Sequence, residues 1–158
     1  MQIRIQIRRA VEADANRVWE THVSSIRELC FPYYSSAQID AWAGRLRSGA
    51  HLDSIQAGKI FVADQGGRIV GFGESEAERQ EVRAIYVHPR STRQGIGTFL
   101  FGRLKEELRG HGLSRAWLDA SLPSVPFYSA MGCRRVEDRV HRLGSGVELA
   151  CVRMVVDL

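Results

Sequence analysis

Strict alternation opens the chain. In "IRIQIRRA" the isoleucines Ile3, Ile5 and Ile7 are separated by polar residues, a period of two that puts every second side chain on one face of a strand. From Glu12 to about Ser25 the period lengthens: Val11, Val18, His22 and Ile26 recur at near-helical intervals and Asp14 stands near an N-terminus, which predicts a first helix. "SSAQIDAWAGRLRSG" predicts a second. Ser35 and Gln38 have capping-box spacing, Ile39, Trp42, Ala43 and Leu46 share a face, and Gly49 stops it. "KIFVADQGGRIVGFGES" reads as two strands around a turn at Gly66 and Gly67, and "EVRAIYVHP" as a further strand ended by Pro89. From Gly97 to Gly110, Phe99 or Leu100, Leu104 and Leu108 form one stripe, with Arg103, Lys105, Glu106 and Glu107 mostly outside it. A strand "RAWLDAS", a short proline-started helix around "PFYSAMG" and two last strands, "CRRVEDRV" and "VELACVRMVVDL", complete the order βααβββαβαββ.

Composition narrows the class. With 158 residues, 44% hydrophobic and 25% charged, the chain suits one domain over residues 1–158 that buries about two-thirds of its unfolded surface. The N-terminus lacks the apolar core of a signal peptide, and no apolar run approaches the roughly 20 residues that span a bilayer. A cytoplasmic protein without a membrane partner is expected. Cys30, Cys133 and Cys151 stand apart from one another and from the histidines, so neither a disulfide framework nor a metal site is expected. The net charge of +4 comes from basic residues interleaved with 18 acids, and nucleic acid is not an expected partner.

The stretch "VHPRSTRQGIGTFLFGRL" carries the chemistry. A helix beginning within "RQGIGT" leaves its first N–H groups without intrahelical partners, and Gly95 and Gly97 let an oxyanion approach the backbone. The positive end of the helix dipole, with Arg93 nearby, favours a phosphate or pyrophosphate. A P-loop needs Gly-Lys-Ser/Thr, but Thr98 and Phe99 follow Gly97 here. A dinucleotide fingerprint needs glycine where Leu100 stands. Asp119 lies at a suitable distance for a ribose contact, yet such a unit usually opens its domain. That reading stays as a weaker alternative.

"YVHPRSTRQGIGTFL" is similar to motif A of the GNAT superfamily of acetyl-CoA-dependent N-acetyltransferases, and "SLPSVPFYSAMGCRRV" resembles its motif B. The resemblance covers essentially the whole chain. It implies an α/β (α+β) fold with a twisted mixed sheet of about seven strands, splayed at its middle strands and covered by helices on both sides. It further implies acetyl-CoA as co-substrate: Arg93, Gln94, Gly95, Ile96, Gly97 and Thr98 would wrap the pyrophosphate, while Tyr86 and Val87 pair with the pantetheine like an extra strand. The family's Gln/Arg position falls on Thr92, from which weakened pyrophosphate binding is expected. Ser121 stands where the family often has a coenzyme-contacting asparagine. Homodimers are common in the family, so a homodimer is possible.

Acetyl transfer to an amine needs a base for the amine proton and an acid for the leaving thiolate. Motif A places Glu81 where members that use a glutamate base have it, although a solvated strand-edge carboxylate accounts for it equally well. Motif B places Tyr128 as the acid, against core packing with a bonded hydroxyl. Ile85 N–H is a backbone candidate for an oxyanion donor. The expected activity is direct transfer of acetyl from acetyl-CoA to a primary amine on a small molecule or peptide. The alternative on the same fold is a non-catalytic acyl-CoA sensor or interaction module, which an assay over many amines would separate. His22 and His88 lack a recognisable partner in the sequence, and Cys30 lacks a histidine to activate it. Tyr33, Tyr34 and Trp42 fit an acceptor pocket or plain core packing equally well.

Overall fold

The first alternating segment forms strand β1, Ile5–Arg9. The computed structural model describes residues 4–158, so Ile3 lies outside the described residues. The remaining elements are α1 (Ala15–Leu29), α2 (Ser36–Gly44), α3 (Leu52–Gln56), β2 (Ile60–Gln65), β3 (Arg68–Glu76), β4 (Glu81–Val87), α4 (Ile96–Gly110), β5 (Arg115–Ser121), α5 (Val125–Ala130), β6 (Arg134–Arg142) and β7 (Glu148–Asp157). The order matches the sequence expectation except for α3, whose five residues are too few to show a helical period. Helix α1 starts three residues later than expected. Asp14 takes the Val11 N–H at 2.9 Å and both arms of Arg8 at 2.8 and 3.0 Å, which holds Glu12–Asp14 in a 3₁₀ turn. Helix α2 has the expected capping box: Ser35 Oγ accepts from Gln38 N–H at 3.1 Å, and Gln38 Oε1 accepts from Ser35 N–H at 2.8 Å.

The strands form one mixed sheet in the order β1-β2-β3-β4-β5-β7-β6, with β4 and β5 parallel and every other neighbour antiparallel. Helix α4 covers one face, where Phe61, Ala63, Val82, Ala116, Leu118 and Ala120 pack against Leu100, Phe101 and Leu104. Gly71 and Gly73 bring β3 close beneath it: a Cβ on Gly73 would lie 2.9 Å from Leu104 Cδ1, and one on Gly71 would lie 3.0 Å from Ile96 Cγ2. Helix α1 crosses the other face, burying Val18 over Ile60, Val62, Ile69 and Phe72 and Ile26 over Leu143 and Leu149. Each buried aliphatic side chain contributes about 1.5–3 kcal/mol relative to exposure, which fixes both helices on the sheet.

Two departures from regular pairing position the site. Strand β4 carries one extra residue: Glu74 pairs with Ala84 but Ser75 with Val82, so Arg83 is a bulge. Val82 stays in the α4 core while Ala84 packs on the α1 side, so Glu81, the next residue before Val82, falls on the α1 side as well. The second departure lies between β4 and β5. Only Glu81 and Trp117 pair there, with Trp117 N–H donating to Gln80 O at 2.9 Å, and beyond that point the strands part.

Candidate active site

The parted strands leave backbone groups turned into a gap. His88 N–H donates across to Val70 O at 2.8 Å, and antiparallel pairing alternates, so Tyr86 and Ala84 also turn their peptide groups to β3 while Val87 and Ile85 turn theirs to β5. With no strand opposite, the N–H groups of Ile85 and Val87 are free to pair with an extended ligand. Tyr86 contributes its side chain instead. Its ring stacks on Phe72 at 5.7 Å and lies 4.2 Å from the His22 ring on the α1 side.

Above the gap, the chain leaves β4 through a 3₁₀ turn, Pro89–Ser91, and reaches α4 by way of Arg93 and Gly95, both in the left-handed region at φ 65° and 77°. Glycine adopts this conformation without penalty. A non-glycine residue rarely does outside turns and functional sites. Among the described residues, the N–H groups of Ile96, Gly97 and Thr98 have no acceptor; the first N–H of the helix with one is Phe99, bonded to Gly95 O at 3.1 Å. Arg93, Gln94 and Thr98 are exposed around this turn. Three free amides, a helix dipole and an arginine make an oxyanion cradle. Gly97 has a second role: a Cβ there would press on the Phe127 ring at 3.2 Å, so its bareness seats α5 against the start of α4.

Helix α5 carries Tyr128 to the gap from the α4 side. Its ring packs edge-on against Phe101 at 5.7 Å and Phe127 at 5.1 Å, and the residue is 5% exposed. Yet its hydroxyl has no hydrogen-bond partner and is not among the enclosed, unpaired polar atoms of the described residues. A buried ring therefore ends in a hydroxyl that reaches open space. Burial raises its pKa above the ordinary phenol value, with a further push from Tyr86, which keeps it a proton donor. Core packing and a free hydroxyl coexist in this one side chain.

Glu81 sits at the closed foot of the gap. Its side chain is 16% exposed, and its carboxylate lies 3.2 Å from Arg79. Burial raises its pKa, against the opposing pull of Arg83 and Arg79. With Arg83 taken up in the bulge, Glu81 and Ile85 lie opposite Glu76 and Gly73, three strand steps or about 10 Å apart. Ser121, at the end of β5, shares a hydrogen bond with Ser124 Oγ at 2.9 Å.

Other polar residues have structural employment. His88 Nδ1 accepts from Arg90 N–H at 3.2 Å and caps the turn after β4. Cys30 is buried, which pushes its thiol up to about 11 and away from a nucleophilic thiolate. Cys133 and Cys151 are likewise free and buried. Trp42 packs against Tyr34 in the core while Tyr33 is exposed. Tyr34 does more than pack: its hydroxyl donates to Ala150 O at 2.6 Å and accepts from Leu122 N–H at 3.0 Å. It thereby ties the α1–α2 connection to β7 and to the residue after β5. Nothing local announces this bridge, since its partners lie 116 and 88 residues away. The same holds for a buried contact between His22 and His51.

A mixed sheet parted between two parallel strands, with an amide-lined turn at one end of the gap and a phenol at its side, is the frame of an acyltransferase. Residues 16–133 match the acetyltransferase (GNAT) family, and the chain belongs to that family. It is 28% identical over 165 residues to the uncharacterized N-acetyltransferase YuaI of Bacillus subtilis (strain 168), covering 95% of this chain and 88% of that one. The fold is shared with a GCN5-related N-acetyltransferase from Rhodopseudomonas palustris (TM-score 0.91, 23% identity, 100% of this chain and 98% of the other). It is shared too with the PaiA N-acetyltransferase of Thermoplasma acidophilum solved with coenzyme A (TM-score 0.74, 19% identity, 99% and 100% covered). The expected mixed sheet of seven strands is therefore correct. Among the described residues no helix is long and apolar enough to cross a membrane.

Proposed function

We propose that the protein transfers an acetyl group from acetyl-CoA to a primary amine. The observation that carries this reading is the β4–β5 gap, with the Ile85 and Val87 amides on one wall and the Tyr128 hydroxyl at its side. The pyrophosphate fits the free amides of Ile96, Gly97 and Thr98 beside Arg93, Gln94 and Gly95, and the pantetheine fits the open edge of β4 at Val87 and Ile85, with Tyr86 lining the α1 side. Coenzyme A supplies an acetyl group activated as a thioester. The Ile85 N–H offers a hydrogen bond to its carbonyl oxygen. As the amine nitrogen bonds to the acetyl carbon and the carbon–sulfur bond breaks, Tyr128 gives its proton to the sulfur, and the proton lost by the amine passes through water to Glu81. Afterwards Tyr128 regains a proton from solvent and Glu81 releases one.

Thermal unfolding with acetyl-CoA, ATP or NAD tests the coenzyme half. At a hundredfold excess over Kd a ligand bound to the native state adds about 2.7 kcal/mol, on the order of 5–11 °C for a chain of this size. A rise with acetyl-CoA alone is expected, followed by amine-dependent release of the free thiol. A rise with NAD and none with acetyl-CoA would overturn the reading in favour of a dinucleotide.

A further inference from the structure

His22 on α1 and His51, just ahead of α3, are 9% and 6% exposed, and their rings meet: His22 Nδ1 lies 3.0 Å from His51 Nε2. Both rings also pack edge-on against Phe72, at 5.5 and 5.4 Å, and His22 lies over Tyr86, the gap-side tyrosine of β4. Burial drives both toward the neutral form, His22 down to about 3, with the Arg45 charge adding to the effect on each. One proton is thus shared between two facing nitrogens.

Its position follows from what remains buried. His51 Nδ1 is the enclosed side-chain nitrogen or oxygen left without a partner among the described residues. If that nitrogen carried a hydrogen, a donor would be buried unpaired; if the hydrogen sits on Nε2, only a lone pair is buried, which proteins tolerate better. His51 Nε2–H therefore donates to His22 Nδ1, and His22 carries its own hydrogen on Nε2. That Nε2–H has no partner in the protein and is not enclosed, so a neutral, orientation-locked donor opens to solvent beside Tyr86.

A cation lies on the adjoining connection, whose Leu46 carbonyl accepts from Trp19 Nε1–H of α1 at 3.0 Å, one turn before His22. Arg45, directly after α2, is exposed, acts electrostatically on His22, His51 and Tyr86, and has no carboxylate within ion-pair distance among the described residues. The nearby acids are already engaged, Glu81 with Arg79 and Glu74 with Arg83 and Ser54. A neutral donor beside Tyr86 of β4 and a free guanidinium one residue from the Leu46–Trp19 contact thus both belong to the α1 side, where Tyr86 projects from the strand that carries the Ile85 amide. Two donors, with no acceptor between them, suit an anion of planar shape.

We propose that His22 Nε2–H and Arg45 form the seat for a carboxylate on the acceptor, so that the amine acetylated is one that also bears a carboxylate, as an amino acid does. The proposal rests on the acetyl-transfer reading for its amine but not for its anion. The test measures thiol release with the common amino acids, each supplied as the free acid, as its carboxamide and as the decarboxylated amine. For the accepted side chain the acid is expected to exceed its amide by about tenfold or more in kcat/KM, through KM, because a charge-assisted pair is lost with the carboxylate. Arg45→Gln should bring the acid-to-amide ratio close to one, and Arg45→Lys should restore most of it. Amides or decarboxylated amines that serve as well as the acids would overturn the seat while leaving acetyl transfer standing. A second arm needs no turnover: calorimetric binding of N-acetyl amino acids and their amides to the wild-type protein with CoA present. If no amine is acetylated, tighter binding of the acids that Arg45→Gln abolishes upholds the seat although the transfer reading has failed. Equal binding of acid and amide, or binding of neither, overturns it.

Discussion

Replacing Tyr128 with phenylalanine separates chemistry from stability in a way the structure makes quantitative. The hydroxyl has no hydrogen-bond partner and is not enclosed, so its removal breaks no internal bond and leaves no polar group orphaned. The ring that remains keeps its contacts with Phe101 and Phe127. A stability change within about 0.5 kcal/mol is expected, or less than roughly 2 °C in Tm for this chain length. Loss of a positioned general acid costs about 10²–10⁴ in rate, equivalent to roughly 3–5 kcal/mol of barrier. The assay is thiol release at saturating acetyl-CoA, run beside thermal unfolding of both proteins. Because burial raises the phenol pKa above its ordinary value of 10, the wild-type rate should show no basic limb from this residue below about pH 10. Full turnover in the variant would refute the acid role, and a fall of several degrees with turnover lost in proportion would show that the hydroxyl served packing.

Glu81→Gln should lower the rate by about 10²–10³ and abolish the acid limb of kcat/KM, which in the wild type lies above the ordinary glutamate value because burial raises this carboxyl; an unchanged pH–rate profile would remove Glu81 from the mechanism. Tyr34→Phe deletes two hydrogen bonds and strands the Ala150 carbonyl and Leu122 N–H, so a loss of about 2–4 kcal/mol is expected, read as a Tm drop on the order of 10 °C. His22 titrates near 3 when folded and near 6.5 when unfolded. The unfolded chain thus binds more protons between those values, and stability should rise with pH across that window. In His22→Gln, denaturant unfolding from pH 4 to pH 7 should show a flatter rise; an identical slope would mean that His22 is not buried neutral.

The elements were legible because each carries its own period: alternation in β1, a capping box at Ser35, a glycine turn between β2 and β3, a clean stripe along α4. The glycine turn ahead of α4 was legible for the same reason, since a glycine-flanked helix start is local. What escaped was whatever depends on residues far apart in the chain. His22 read as a lone histidine because His51 is 29 positions away. Tyr34 read as core or pocket because its bonds cross to β5 and β7. Gly71 and Gly73 gave no hint of the helix lying on them, and the partner that Gly97 makes room for, Phe127, is on another helix. Tyr86 was expected to pair with pantetheine through its backbone, but only the phase of pairing with β3 shows that Val87 and Ile85 turn outward there.

The bulge at Arg83 has a meaning for counting. Side chains on β4 change sides at every residue, so a carboxylate four positions before Ile85 would in a regular strand share the face of Ile85, inside the α4 core. The one surplus residue reverses that parity and delivers Glu81 to the side of Ala84 and Tyr86 instead. Deleting Arg83 would remove the surplus residue and set Ala84 next to Val82, so with Ile85 and Val87 held by α4 a regular strand would still keep Val82 in the apolar layer and Glu81 on the α1 side, whereas ironing out the bulge at unchanged length would steer the glutamate into the apolar layer and Val82 out of it. The interval between the glutamate and the glycine turn thus holds Glu81 on the α1 side either as it stands with the bulge or one residue shorter without it, and the bulge, not the residue count alone, decides the side.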